Sequence, residues 1–319
     1  MLRPYDGEKD FLRIREFLIE TFALYDRPFN WLLDRWNFVR YFGIPYHTFY
    51  NTSYMGVPAH PRLSHRDELP VWEVTIGIWE ESGSIIGVVH TENQEPGEAW
   101  IQIHPEHTDL YGEMVAFIER YLADRAHGLA YVKLYVNDDS LLERVVLDRG
   151  YRKVAGTQTF KECRFRERVA PELPDGFVIR SVADEDDVEP RRLVRAMSFG
   201  PYYAPSEWPP TSVLVEMQQA PDYRREFDLF VVAPDGQYVA FCTIWLDPRN
   251  RYGNFEPVGT HAEYRGRGLG RALLAEGFRR MAAYGIERSF MASDNEFYRK
   301  VGFVQTPYSY SPWIRYFDA

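Results

Sequence analysis

The chain has 319 residues, 45% of them hydrophobic and 16% aromatic, with a formal net charge of -10 at pH 7. That length allows two ordinary domains with real cores, and the acidic balance argues against a nucleic-acid partner held by phosphate contacts while favouring a cationic or neutral one. No apolar run is long enough to span a membrane, Met1–Asp6 lacks a signal-peptide core, and Cys163 and Cys242 lie too far apart to suggest a motif. Both cysteines read as free core thiols, and the expectation is a cytoplasmic protein with no membrane partner.

In chain order, a short strand is expected at Leu2–Tyr5, then a helix from about Lys9 to Leu24 with Phe11, Ile14, Phe17 and Leu18 on one face. The aromatic segment Phe29–Tyr54 has helical spacing up to about Tyr41 and reads as a second helix packed on a sheet. After a loop over Pro58–Pro70, Val71–Trp79 alternates like a strand, Glu80–Gly83 turns, and Ile85–Thr91 returns. Ala99–Ile103 is a strand, Leu110–Ala123 an amphipathic helix and Tyr131–Val136 a strand. Leu141–Leu147 is a short helix ending before Gly150-Tyr151, and Thr157–Cys163 extends again. That order then repeats: strand Phe177–Ser181, helix Val188–Met197, hairpin Leu229–Ala233 and Tyr238–Leu246, strand Phe255–Thr260, helix Gly268–Tyr284, a strand near Phe290, and a short helix through Tyr298 to Gly302-Phe303. One fold used twice is implied, with the boundary in the Pro171–Asp175 linker, so residues 1–170 and 171–319 form two domains.

Arg265-Gly266-Arg267-Gly268-Leu269-Gly270 falls between the strand ending at Thr260 and the helix beginning inside the glycines. Glycines let successive backbone N–H groups converge, the helix N-terminus adds partial positive charge, and Arg265, Arg267 and Arg271 add full charges. The chemistry suits a phosphate-bearing ligand. A P-loop would need Gly-Lys-Ser/Thr, and a dinucleotide fold would place the turn after a first strand, so neither fits. The run matches the Gln/Arg-x-x-Gly-x-Gly/Ala signature of the GCN5-related N-acetyltransferases (GNAT), and Asn295–Phe303 resembles their second signature, a short helix with a tyrosine ending in Gly-Phe. The spacing Asn295-x-x-Tyr298 is shorter than in many members.

The resemblance implies an α/β protein of two tandem GNAT-like domains, each a mostly antiparallel, splayed sheet flanked by helices. It implies acetyl-coenzyme A as co-substrate, no metal, and direct acetyl transfer to an amine. The pyrophosphate would meet Arg265, Gly266, Arg267, Gly268, Leu269, Gly270 and Arg271, and the pantetheine arm would pair with Val258, Gly259 and Thr260, with Asn295 nearby. Pro257 makes sense at a bulge or splay, where no ladder donor is needed. The N–H of Val258 is the candidate to polarise the acetyl carbonyl, Tyr298 the candidate acid and Glu256 the candidate base. His261 is a third candidate, against a local hydrogen bond. For Glu256 the alternative is a strand glutamate facing solvent or an arginine, and for Tyr298 an ordinary packed aromatic. The first domain offers Thr108–Glu113 in place of the loop, with Asp109 and Glu113 hostile to pyrophosphate, and Val146 in place of Tyr298. It therefore reads as a degenerate copy that is structural or walls the acceptor site. Tyr202, Tyr203, Glu207 and Trp208 are candidates to contact a small-molecule amine, or else belong to a rigid loop packed on the first domain. A non-catalytic acyl-coenzyme A sensor and a protein N-terminal or lysine acetyltransferase are the competing readings.

Overall fold

The computed structural model describes residues 1–45, 71–92, 97–125, 130–165, 170–199 and 208–317. In the first half, β1 (Leu2–Pro4) and α1 (Gly7–Tyr25) lead to α2 (Leu33–Phe38), which continues as a π-helical turn over Val39–Gly43. Phe11, Ile14, Phe17 and Leu18 are buried on the face their spacing implied. Then come β2 (Gly77–Glu81), β3 (Ser84–His90), β4 (Glu98–Ile103), α3 (Tyr111–Tyr121), β5 (Ala130–Asn137), α4 (Ser140–Asp148), β6 (Arg152–Lys153) and β7 (Gln158–Arg164). The second half repeats the plan with β8 (Val178–Ser181), α5 (Val188–Phe199), α6 (Thr211–Met217), β9 (Asp228–Val232), β10 (Tyr238–Asp247), β11 (Tyr252–Thr260), α7 (Leu269–Ala283), β12 (Arg288–Met291), α8 (Glu296–Lys300) and β13 (Val304–Phe317).

The sequence expectation of a strand over Val71–Trp79 is corrected: Val71–Val74 is a helical turn, and only Gly77 onward pairs. Trp72 is fully buried and donates from its indole to Thr91 O (2.8 Å), which suits a turn folded under the sheet edge. Helix α6 and strand β13 carry no sequence-level expectation at all.

The described strands form one sheet in the order β1-β2-β3-β4-β5-β13-β7-β12-β11-β10-β9-β8, with β6 also on β13. The last long strands of the two halves are exchanged. β13 of the second half pairs antiparallel with β5 from Tyr310↔Asn137 to Phe317↔Ala130, and β7 of the first half pairs with β12 from Arg288↔Arg164 to Met291↔Lys161. β7 and β13 also pair with each other, closing the centre. Every residue of β9 and β10 is buried, as strands covered on both faces require. Cys163 and Cys242 are buried free thiols, as expected.

Candidate functional site

In each half a parallel pair of strands diverges, and the two openings differ. In the second half, β11 and β12 pair only at Tyr252↔Arg288. Just beyond, the Asn254 carboxamide spans the gap, accepting from Phe290 N (2.8 Å) and donating to Asp34 (2.8 Å). Register on the other flank of β11 runs from Phe255↔Ile244 to Val258↔Cys242, so one extra residue bulges out at Glu256-Pro257. This is where a proline was expected to be tolerated. The buried Trp245 indole fixes the bulge by donating to Glu256 O (2.7 Å). Past the bulge, His261 donates its N–H to Val239 O on the β10 side (2.9 Å). Alternation along the strand turns the N–H groups of Thr260 and Val258 the opposite way, into the opening.

A cavity of about 510 Å³ lies there, walled by both halves: Trp31, Asp34, Arg35, Phe38 and Trp100 come from the first, and Asn254, Glu256, Val258 and Tyr298 from the second. No described residue hydrogen-bonds the Glu256 carboxyl or the Tyr298 hydroxyl. Burial, and then the Asp34 carboxylate, push Glu256 up to about 7, with Arg195 and Arg35 opposing. Burial, and then Glu256, push Tyr298 up to about 12. Tyr298 is held by α8, whose N-cap Asn295 accepts from Phe297 N (2.9 Å), and by edge contacts of its ring with Phe297 and Phe303. The role found for Asn295 is therefore a cap.

The glycine loop takes the conformation its composition demands. Gly266 and Gly268 have φ of +78° and +82°, and a Cβ at either would meet open space. Gly268 caps α7 with no side chain in the way, leaving the N–H groups at Arg267 to Arg271 facing out at the helix start. Leu269 is buried beneath them, and a Cβ on Gly270 would approach Phe297 to 3.3 Å. Arg265 is engaged: its guanidinium donates to Thr260 O (3.2 Å) and Ser198 O (2.6 Å), tying the loop to α5. Arg267 lies 4.8 Å over the Tyr264 ring, and Arg271 is exposed at the rim. His261 is buried and accepts from Glu263 N (3.2 Å), the local bond foreseen as its alternative. A Cβ at Gly259 would collide with Phe241 and Ser198, so that glycine serves close packing. Of the acceptor candidates, Trp208 lines the cavity, while Tyr202, Tyr203 and Glu207 lie outside the described residues.

The first-half opening is filled. β4 and β5 pair from Glu98↔Lys133 to Trp100↔Tyr135, and beyond that the segment Phe29–Trp31 runs between them. Asn30 donates to Ile103 O (2.9 Å) and accepts from Ile103 N (3.0 Å), while Trp31 N donates to Gln102 (2.7 Å) and Asn137 donates to Phe29 O. Glu113 accepts from the Trp79 indole (2.8 Å), and Val146 is buried in the core.

Sequence reasoning missed Asp34, Arg35, Glu92, Trp100 and Asn254. Asn254 carried a signal, standing two residues before Glu256 on a strand, where period two shares a face. Arg35 pairs with Glu92 (2.6 Å) and lies 4.5 Å over Trp31 and 4.2 Å over Trp100, a box assembled from three distant segments.

Residues 225–305 match the family model of the acetyltransferase (GNAT) domain. The chain is 24% identical over 234 residues to the mycothiol acetyltransferase of Streptomyces bingchenggensis, covering 67% of this chain and 70% of that protein. A tandem GNAT protein from the clavulanic acid biosynthesis pathway superposes with a TM-score of 0.58 at 11% identity, over 99% of this chain and 98% of that one. A GCN5-related N-acetyltransferase from Sphaerobacter thermophilus gives 0.54 at 20% identity, over 76% and 80%. At these identities the structural likeness speaks for the fold, and with the tandem protein it runs through both halves.

Proposed function

We propose, from the premise that this chain belongs to the GNAT superfamily of acetyltransferases, that it moves the acetyl group of acetyl-coenzyme A directly to the amine of a small molecule held between its halves. The observation that carries this reading is the meeting, in one cavity, of the Glu256 carboxyl, the Tyr298 phenol and the unpaired edge of β11 at Val258. Acetyl-coenzyme A would enter the opening as an added strand, pairing with Val258 and Thr260, and the N–H groups from Arg267 to Arg271 would take its pyrophosphate.

An amine reaches a neutral solution mostly as ammonium and must lose a proton before it attacks. Glu256, poised near 7, takes that proton about as readily as neutral water solution allows it to be given back. The nitrogen then bonds the acetyl carbon while the carbon–sulfur bond breaks, and the surplus proton left on nitrogen goes to the departing thiolate. Val258 N–H meets the carbonyl oxygen as charge gathers on it, a contribution of about 3 kcal/mol where comparable donors have been removed. Tyr298, at about 12, is a weaker acid than an ordinary thiol, so full proton transfer to sulfur runs uphill. Its O–H acts by hydrogen-bonding the departing thiolate. A small acceptor is favoured because the cavity is walled on both sides by aromatic side chains from two halves, and the name of the streptomycete relatives points the same way.

Calorimetric titration with acetyl-coenzyme A tests the reading, with Arg267→Glu run beside it. One equivalent bound by the native protein, weakened by the substitution, is the expected result, followed by free-thiol release on adding primary amines. No binding would overturn it, and binding without turnover of any amine would leave a sensor instead.

A further inference from the structure

Glu256 belongs to the second half, but half of the charged and titratable groups around its carboxyl come from the first. Around the cavity they are Asp34 and Arg35 from α2, Glu92 after β3, Arg195 from α5, Tyr298 from α8 and Tyr310 from β13. The cations among them are directed elsewhere. Arg35 is bound to Glu92 within its tryptophan box, Arg195 lies 3.8 Å over the Phe42 ring, and no hydrogen bond or ion pair joins either to Glu256. Asp34 has a fixed place. Its Oδ1 accepts from Asn254 (2.8 Å), the residue two before Glu256 on β11, and the same carboxamide is anchored at its other end by Phe290 N.

We infer that Asp34, contributed by the first half, is the positioning residue of Glu256: it fixes Asn254, two residues before the base on β11, and sets a second carboxyl group in the same cavity wall, so that the base of one half is set by a residue of the other. The inference rests on Glu256 being the base. Two carboxylates enclosed in one cavity wall without a bound cation cannot both ionise freely, and the second proton is released only at higher pH. Asn254 decides which of them ionises first. By donating to Asp34 it stabilises that carboxylate, leaving the proton to Glu256, which faces the reacting atoms. Burial raises Asp34 with the Asn254 bond opposing it, and Glu256 is raised by burial first and then by Asp34. A tandem chain with a filled first cofactor opening thus still needs the first half for its proton chemistry.

The test is a pH titration of the full-length protein followed by infrared difference spectroscopy, reading the carbonyl stretch of protonated buried carboxyl groups. The native protein should lose one such band as pH rises through about 7, and Glu256→Gln should lack it. Asp34→Asn keeps an oxygen for Asn254 but removes the charge, and should move the band's midpoint down by roughly one pH unit. Asn254→Leu withdraws the donor that favours the Asp34 carboxylate, so Asp34 should keep its proton to higher pH and its midpoint should rise, which decides the matter even if Asp34→Asn does not fold. Midpoints unmoved in these variants, or no band near neutrality in the native protein, would overturn the inference. The titration uses neither acetyl-coenzyme A nor an acceptor, so its failure and a failure of acetyl transfer are separate results.

Discussion

The two openings in the sheet are the same construction put to opposite uses. At the end of β4, His104 donates its N–H to Ile86 O, and its ring accepts from Glu106 N (3.3 Å). At the end of β11, His261 does the same with Val239 O and Glu263 N. Ile103 and Thr260 therefore occupy matching positions, each turning its backbone into its own opening. In the first half that backbone is satisfied twice by the side chain of Asn30, and in the second the Thr260 carbonyl accepts from the Arg265 guanidinium. A groove that binds a strand-like ligand must leave ladder groups without protein partners, and a copy relieved of that duty can fill them from its own chain. On the proposed reading, Asn30 would keep a cofactor out of the first opening as much as the acids Asp109 and Glu113.

The sharpest way to break the comparison is at the reacting groups. Glu256→Gln is expected to lower turnover by roughly 100-fold while leaving the acetyl-coenzyme A dissociation constant unchanged, as read by thiol release and calorimetry. In the native protein kcat/KM should climb as pH rises through about 7, because the base works only once deprotonated, and a flat profile there would remove Glu256 from the role. Gly268→Val acts on the cofactor alone. At φ +82° a branched residue is strained and its side chain shades the helix start, so affinity for acetyl-coenzyme A should fall on the order of tenfold, equivalent to about 1.4 kcal/mol. Asn30→Ala leaves Ile103 N without its acceptor and Ile103 O with the longer bond from Tyr25 (3.4 Å), and should cost about 2 kcal/mol of stability in chemical denaturation, while acetyl-coenzyme A still binds with a stoichiometry of one. A second equivalent would mean that the first opening is a plugged site rather than a lost one. The smallest effect is expected from cutting the chain: a protease site placed at 170–175 should leave the two pieces co-eluting after cleavage, because each contributes a strand to the other's side of the sheet.

Much of this was legible from residue patterns, for identifiable reasons. The phosphate loop needs backbone conformations that glycine alone adopts easily, so Gly266, Gly268 and the helix after them declare themselves. The α1 and α7 cores follow from period, and the bulge at Glu256-Pro257 from a proline where a ladder donor is absent. The wall of the cavity was not legible, because Asp34, Glu92, Trp100 and Glu256 meet only through the fold, and nothing local distinguishes Asp34 from any acid in the first turn of a helix. Strand β13 hid for a different cause. Its run Val304–Phe317 contains prolines at 307 and 312, which argue against a central strand, yet it sits at the middle of the sheet. Between Gln305 and Ser309 its register with β7 breaks, and this is where Pro307 falls.

The exchange of last strands also makes the two halves interdependent. β5 acquires its inner neighbour, β13, only from the final stretch of the chain, more than half the sequence later. Without β13, the inner edge of β5 would have no strand to pair with. The centre of the sheet is therefore closed only by strands drawn from both halves, and neither half can complete its own side without the other.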